Sequence, residues 1–169
     1  MPKKLDSLFL MDNTINVMKS LMDDSKRTGK EYGFDLCVSN TNRIIKAKNF
    51  YEGERGEVKA TEECGKDEVL VGSFHTHPSP FSPRPSIQDL GIGLEHGINC
   101  IGTIKDKDIT CYVKKDDIPI NKQNEILDKI DNYTKKLDNK TLTQTEVNEI
   151  YTLEDTLKEQ YFHKFKIND

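Results

Sequence analysis

The chain has 169 residues, enough for one domain with a real core and a modest appendage. Charged residues make up 32% and hydrophobic ones 34%, and the net charge is -4 with Lys and Arg interleaved among Asp and Glu, so no basic face for nucleic acid is expected. No apolar run approaches the ~18 residues of a membrane span, and Met1 to Leu10 lacks the apolar stretch of a signal peptide; a cytoplasmic protein with no nucleic-acid or membrane partner is expected.

Between Met11 and Thr28, Ile15, Met18, Leu21 and Met22 recur at helical spacing, with Asp12 or Asn13 to cap the start and Gly29 after the end. Glu31 to Ser39 reads as a strand, because Phe34, Leu36 and Val38 alternate with Asp35 and Cys37. The turn Asn40 to Asn42 leads into Arg43 to Phe50, a hairpin partner. Tyr51 to Asp67 is charged and reads as loop, with a short strand near Val58. Glu68 to His75 has the apolar density of a central strand buried on both faces. A loop with Pro80, Pro83 and Pro85 follows, then a short helix from Ser86 to His96. Asn99 to Thr103 and Asp108 to Val113 read as two more strands.

After Pro119 the composition changes, with no glycine and no further proline. Ile126, Ile130, Tyr133 and Leu137 form one helical stripe; Val147, Ile150, Leu153, Leu157 and Tyr161 form another. Thr143-x-x-Glu146 fits a capping box for the second helix. Residues 1–118 are expected to form the main domain and 119–169 a helical hairpin extension, packed on the body or on a second copy as a homodimer. The four cysteines, Cys37, Cys64, Cys100 and Cys111, lie far apart without a Cys-x-x-Cys pair, which excludes a zinc knuckle; reduced, buried thiols are expected.

His75 and His77 lie two residues apart on an extended chain, so their imidazoles project from one face, and Pro78 biases His77 toward extended backbone. Two neutral imidazoles suit a zinc ion, although His-x-His alone is as often surface decoration. Downstream, Ser86-x-x-Asp89 has the form of a helix start, with Ser86 as N-cap and Asp89 in the first turn. There the helix dipole favours the carboxylate anion. Asp89 is thus a candidate third ligand, and two histidines with one aspartate leave a tetrahedral zinc one open position for water, as catalytic sites do. His96 and His163 are weaker candidates for a metal role.

His75-Thr76-His77-Pro78, seven residues, Ser86, two residues, Asp89 resembles the signature of the JAMM (MPN+, JAB domain) zinc metalloproteases, His-x-His-Pro-x(7)-Ser-x-x-Asp, without gap or substitution. The resemblance covers residues ~5–115 and is closest to the small archaeal and bacterial members. It implies an α/β fold of the JAB/MPN-like (cytidine-deaminase-like) kind, a mixed central β-sheet flanked by helices with the metal at the sheet's edge, here followed by a C-terminal αα-hairpin. By match of motif, His75, His77 and Asp89 would bind one zinc ion per chain and Ser86 would assist the tetrahedral intermediate. The family's glutamate general acid/base stands in a Glu-x-Gly context near the first sheet strand, which Glu31-Tyr32-Gly33 matches better than Glu52, Glu54, Glu57, Glu62 or Glu63. The implied activity is hydrolysis of an amide or isopeptide bond in a conjugate of a ubiquitin-like modifier or a sulfur-carrier protein.

Two alternatives stay open. One is a non-catalytic MPN scaffold or interaction module, whose members generally lack the ligands that this chain keeps. The other is a RadC-like or phage tail-assembly relative, disfavoured by Thr76, where the RadC group has asparagine, and by the absence of a basic patch. A TIM-barrel amidohydrolase needs ~250 residues and is excluded by length.

Overall fold

The computed structural model describes residues 3–53, 64–78 and 85–167. Among these, eight strands form one mixed sheet with four helices on its two faces. In chain order the elements are β1 (Lys3–Leu5), β2 (Leu8–Leu10), α1 (Asp12–Thr28), β3 (Tyr32–Ser39), β4 (Ile44–Glu52), β5 (Glu68–His77), α2 (Ile87–His96), β6 (Ile98–Thr103), β7 (Asp108–Lys114), α3 (Ile120–Asp138), α4 (Gln144–Gln160) and β8 (Phe162–Lys166). The sheet order is β1-β2-β4-β3-β5-β6-β7-β8, antiparallel except at β2/β4 and β5/β6. The parallel pair β5/β6 is joined through α2, as a crossover connection requires.

Strand alternation sorts the core into two layers. Phe34, Leu36, Phe74, Ile98, Ile109 and Val113 face α1 and pack on its Ile15, Met18 and Met22. The opposite face carries α2 and the C-terminal helices. There Leu90 and Leu94 of α2 share one cluster with Tyr112, Ile126, Ile130, Leu157 and Phe162. The hairpin α3/α4 therefore packs on its own chain, and the chain beyond it returns to the sheet as β8, paired antiparallel with β7. That last strand goes beyond the helical hairpin expected after Pro119. Its signal is weak because β8 is an edge strand: Phe162 is buried, while His163, Lys164 and Lys166 face solvent and keep the edge from recruiting another strand. The N-terminal pair β1/β2 also escapes periodicity, being three residues per strand.

Other expectations hold with small shifts. Gly29 ends α1 in the left-handed conformation, and its N–H donates to the Ser25 carbonyl. Neither Asp12 nor Asn13 caps α1; both lie inside the helix, behind Met11. β4 runs on through Tyr51 and Glu52, which the sequence placed in a loop. The strand expected near Val58 lies outside the described residues. Gly72 is constrained by its neighbour strand: φ is +154°, and an added Cβ would sit 1.7 Å from the Ile98 carbonyl oxygen.

The cysteines depart from expectation. Cys37 is bonded to Cys64, and Cys100 to Cys111, directly opposite it on β6/β7. Sequence separation hid both pairs, since the sheet brings them together from 27 and 11 residues apart. Paired cysteines are rare in a reducing cytoplasm, which sets this finding against the cytoplasmic expectation. No helix of the described residues is long and apolar enough to cross a membrane.

Two measurements check this description. Thiol titration of the unfolded, unreduced protein should find no free thiol; four would return the reduced expectation. Phe162→Ala should cost about 3–5 kcal/mol and shift a single unfolding transition, because Phe162 bridges the sheet to the α2–α4 layer. A separate low-stability transition for residues 119–167 would show instead that this segment folds on its own.

Candidate metal centre

The site is assembled by two neighbouring elements. β5 ends at His77, and its alternation turns His75 and His77 to the α2 face. α2 begins beside it, with Ser86 as N-cap in extended backbone. The Ser86 Oγ accepts the Asp89 N–H at 3.2 Å, and the Ser86 N–H donates to Asp89 Oδ2 at 2.8 Å. This reciprocal capping box fixes the Asp89 carboxylate toward the histidines. Asp89 Oδ1 lies 3.0 Å from His75 Nε2, and Asp89 Oδ2 lies 3.3 Å from His77 Nε2. The two Nε2 atoms are 2.9 Å apart.

These separations fit a shared cation. Ligand atoms bound to zinc at 2.0–2.1 Å in a tetrahedron lie about 3.3 Å apart; the two Nε2 atoms approach that spacing, and each faces a different oxygen of the Asp89 carboxylate. The two Nε2 atoms face each other, and a neutral imidazole can present this nitrogen as the lone pair that ligates metal. Asp89 is buried. Burial alone would raise its pKa, but the two imidazoles and their hydrogen bonds outweigh that and hold the carboxyl below its usual range. His75, His77 and Asp89 form a group able to hold a metal ion. The group stands at the C-terminal end of a central strand, β5. His96 pairs with Glu95 at 3.9 Å and His163 lies on β8; among the described residues neither joins the group.

Glu31 immediately precedes β3. The antiparallel register pairs Gly33 with His75, which carries Glu31 alongside the His77 end of β5. Glu31 lines the same cavity as His75, His77, Ser86 and Asp89. Of its rivals, Glu52 pairs with Lys30 at 2.7 Å on the outer side, while Glu54, Glu57, Glu62 and Glu63 lie outside the described residues. The backbone around Glu31 is held on both sides. The Tyr32 N–H donates to Thr76 Oγ1 at 3.0 Å, Thr76 donates to Ser25 Oγ at 2.9 Å, and Ser25 donates to the Lys30 carbonyl at 2.7 Å. Ser25 and Thr76 are fully buried. A closed chain of hydroxyls therefore ties the peptides flanking Glu31 to the residue between the two histidines.

Sequence reasoning passed over Thr76 and Ser25, although the alternation that turns both histidines to one face turns Thr76 to the other. It also missed Tyr51, which lines the cavity and stands over Gly33: a Cβ there would meet the Tyr51 ring at 2.5 Å and the Phe74 carbonyl oxygen at 2.5 Å. The glycine of Glu-x-Gly thus makes room for a neighbour. Least legible was the far wall of the cavity, supplied by α3 through Leu127, Ile130 and Thr134.

No family model matches the chain, and no curated protein matches it. Among solved structures it is similar to a JAB1/MPN domain protein from Archaeoglobus fulgidus, with 22% identity, 57% of this chain and 82% of that chain covered, and a TM-score of 0.36. A likeness that loose carries no weight for function beside the geometry above.

Asp89→Asn should weaken zinc binding, followed by competition with a chromophoric chelator, by more than the roughly 10–100-fold that a supporting residue commands; unchanged affinity would remove Asp89 from the ligand set. Thr76→Val leaves the Tyr32 N–H without its acceptor and should cost about 1–3 kcal/mol, seen with faster amide exchange at Tyr32, whereas Thr76→Ser should restore both.

Proposed function

We propose that the chain is a zinc-dependent peptidase or isopeptidase of the JAMM type, acting on an amide or isopeptide bond in a conjugate of a ubiquitin-like modifier or a sulfur-carrier protein. The observation that carries this reading is the convergence of His75, His77 and Asp89 on one point, with Glu31 and Ser86 on the walls of the same cavity. The motif and the three-dimensional arrangement agree without having to, since five residues spread over 59 positions meet in one place.

His75, His77 and Asp89 would hold the ion. When bound, zinc lowers the pKa of a coordinated water to about 7 and supplies a nucleophile at neutral pH. Glu31 takes the proton of the attacking water and returns it to the leaving amine, which lets one carboxylate serve both halves of the hydrolysis. Ser86 Oγ already accepts the Asp89 N–H, so its own proton is directed to the oxyanion that develops at the carbonyl. Against the effect of burial, the imidazoles beside Asp89 lower its carboxyl pKa, which favours the anion that a cation needs. The bonds to Thr76 and Ser25 keep the Glu31 backbone from drifting away from the histidines. No cysteine takes part, since all four are in disulfides.

Incubation of zinc-loaded protein with a ubiquitin-like modifier conjugated to lysine should release the modifier, and removal of zinc should stop the reaction. Glu31→Gln should lower the rate by roughly 10²–10⁴-fold with zinc still bound. Stoichiometric zinc without cleavage of any tested conjugate would instead leave a metal-holding scaffold.

A further inference from the structure

The triad's cavity does not end at the ligands. About 780 Å3 in volume, it continues between α2 and α3. α2 contributes Gln88, Gly91, Ile92 and Glu95, and α3 contributes Leu127, Ile130, Asp131, Thr134 and Asp138. Each set follows the i, i+3, i+4, i+7 pattern of one face of a helix. The helices approach closely at Gly91, where a Cβ would meet Ile130 Cγ2 at 3.4 Å. The two facing stripes thus bound a groove with an apolar base and carboxylates on its rims. Among the described residues no lysine or arginine lines it, and Asp131 and Asp138 are exposed without an ion-pair partner.

We propose that this groove is the track on which the substrate polypeptide lies, and that it selects an extended segment with lysine or arginine side chains beside apolar ones. This deepens the peptidase reading and rests on it. Ile92 and Leu127, both half-buried, offer a hydrophobic strip over the buried Ile130, along which side chains of an extended chain can pack. Glu95, Asp131 and Asp138 face the side chains that project from it, and their summed field attracts cations while repelling acidic segments. The groove opens into the cavity that holds the triad and Glu31, so a chain lying in it brings its backbone carbonyls toward the reacting centre. The extension beyond Pro119 then has a defined part: α3 forms one wall of the substrate site.

The test uses the full-length, zinc-loaded Glu31→Gln protein and two fluorescein-labelled peptides, one of repeated Gly-Leu-Lys and one of repeated Gly-Leu-Glu, with binding read by fluorescence anisotropy. The lysine peptide should bind at least about ten-fold more tightly, and its affinity should fall as salt screens the rims. Asp131→Lys with Asp138→Lys should weaken that binding about ten-fold, while Asp116→Lys with Asp117→Lys, equal in charge but outside the groove, should change it less than about two-fold. Thr134→Trp should weaken both peptides by filling the groove. Equal binding of the two peptides, equal loss in both charge-reversed pairs, or indifference to Thr134→Trp would overturn the proposal. Charge-selective peptide binding by a chain that, wild-type and zinc-loaded, cleaves no modifier–lysine conjugate would sink the peptidase reading and leave the groove. Cleavage of that conjugate together with unselective peptide binding would do the reverse.

Discussion

Ser86 and Asp89 exchange two hydrogen bonds across the first turn of α2, and the position of the candidate centre follows from that exchange. A carboxylate on a free rotamer would point to solvent. Here one oxygen is occupied by the Ser86 N–H, so the other is turned to His75. The same turn stabilises the anion, because the helix N-terminus presents positive charge to it. A structural cap and a candidate ligand are therefore one residue, and the helix start cannot move without moving the carboxylate.

β5 supplies the complementary half. Its two faces do different work at consecutive residues: His75 and His77 look toward α2, while Thr76 reaches under α1 to Ser25 and to the peptide after Glu31. In this way the α1 layer, which contributes nothing to the cavity wall, fixes the distance between Glu31 and the imidazole pair. α3, packed against Gly91, closes the other side. Three regions remote in sequence thus meet around one strand end, and the C-terminal segment is fastened there by Leu157 and Phe162 in the same apolar cluster as α2.

Much of this was legible in the residues. Alternation at Phe34, Leu36 and Val38, and the helical spacing of Ile126 and Ile130, announced β3 and α3 because burial of one face leaves a period. His75, His77, Ser86, Asp89 and Glu31 were legible from local spacing, which decides which side chains share a face of one element. What stayed hidden depends on long-range juxtaposition. Tyr51 lines the cavity only because β4 runs two residues further than its charged sequence suggested. The pairing of Cys37 with Cys64 and of Cys100 with Cys111 needed the sheet register. The end of the chain was expected to belong to the helical hairpin, since an edge strand with His163, Lys164 and Lys166 outward shows little hydrophobic period.

The two-sided duty of β5 makes its length, more than its composition, the inviolable quantity. Deleting or adding a single residue between Gly72 and His75 would rotate the following side chains by half a pleat, burying imidazoles against α1 and offering the cavity a lone hydroxyl. Apolar replacements along the strand could be absorbed by repacking, but a change in residue count could not. Descendants of this chain should accordingly vary freely in the α3/α4 junction and in the solvent face of β8, and keep the residue count from Gly72 to His77 invariant.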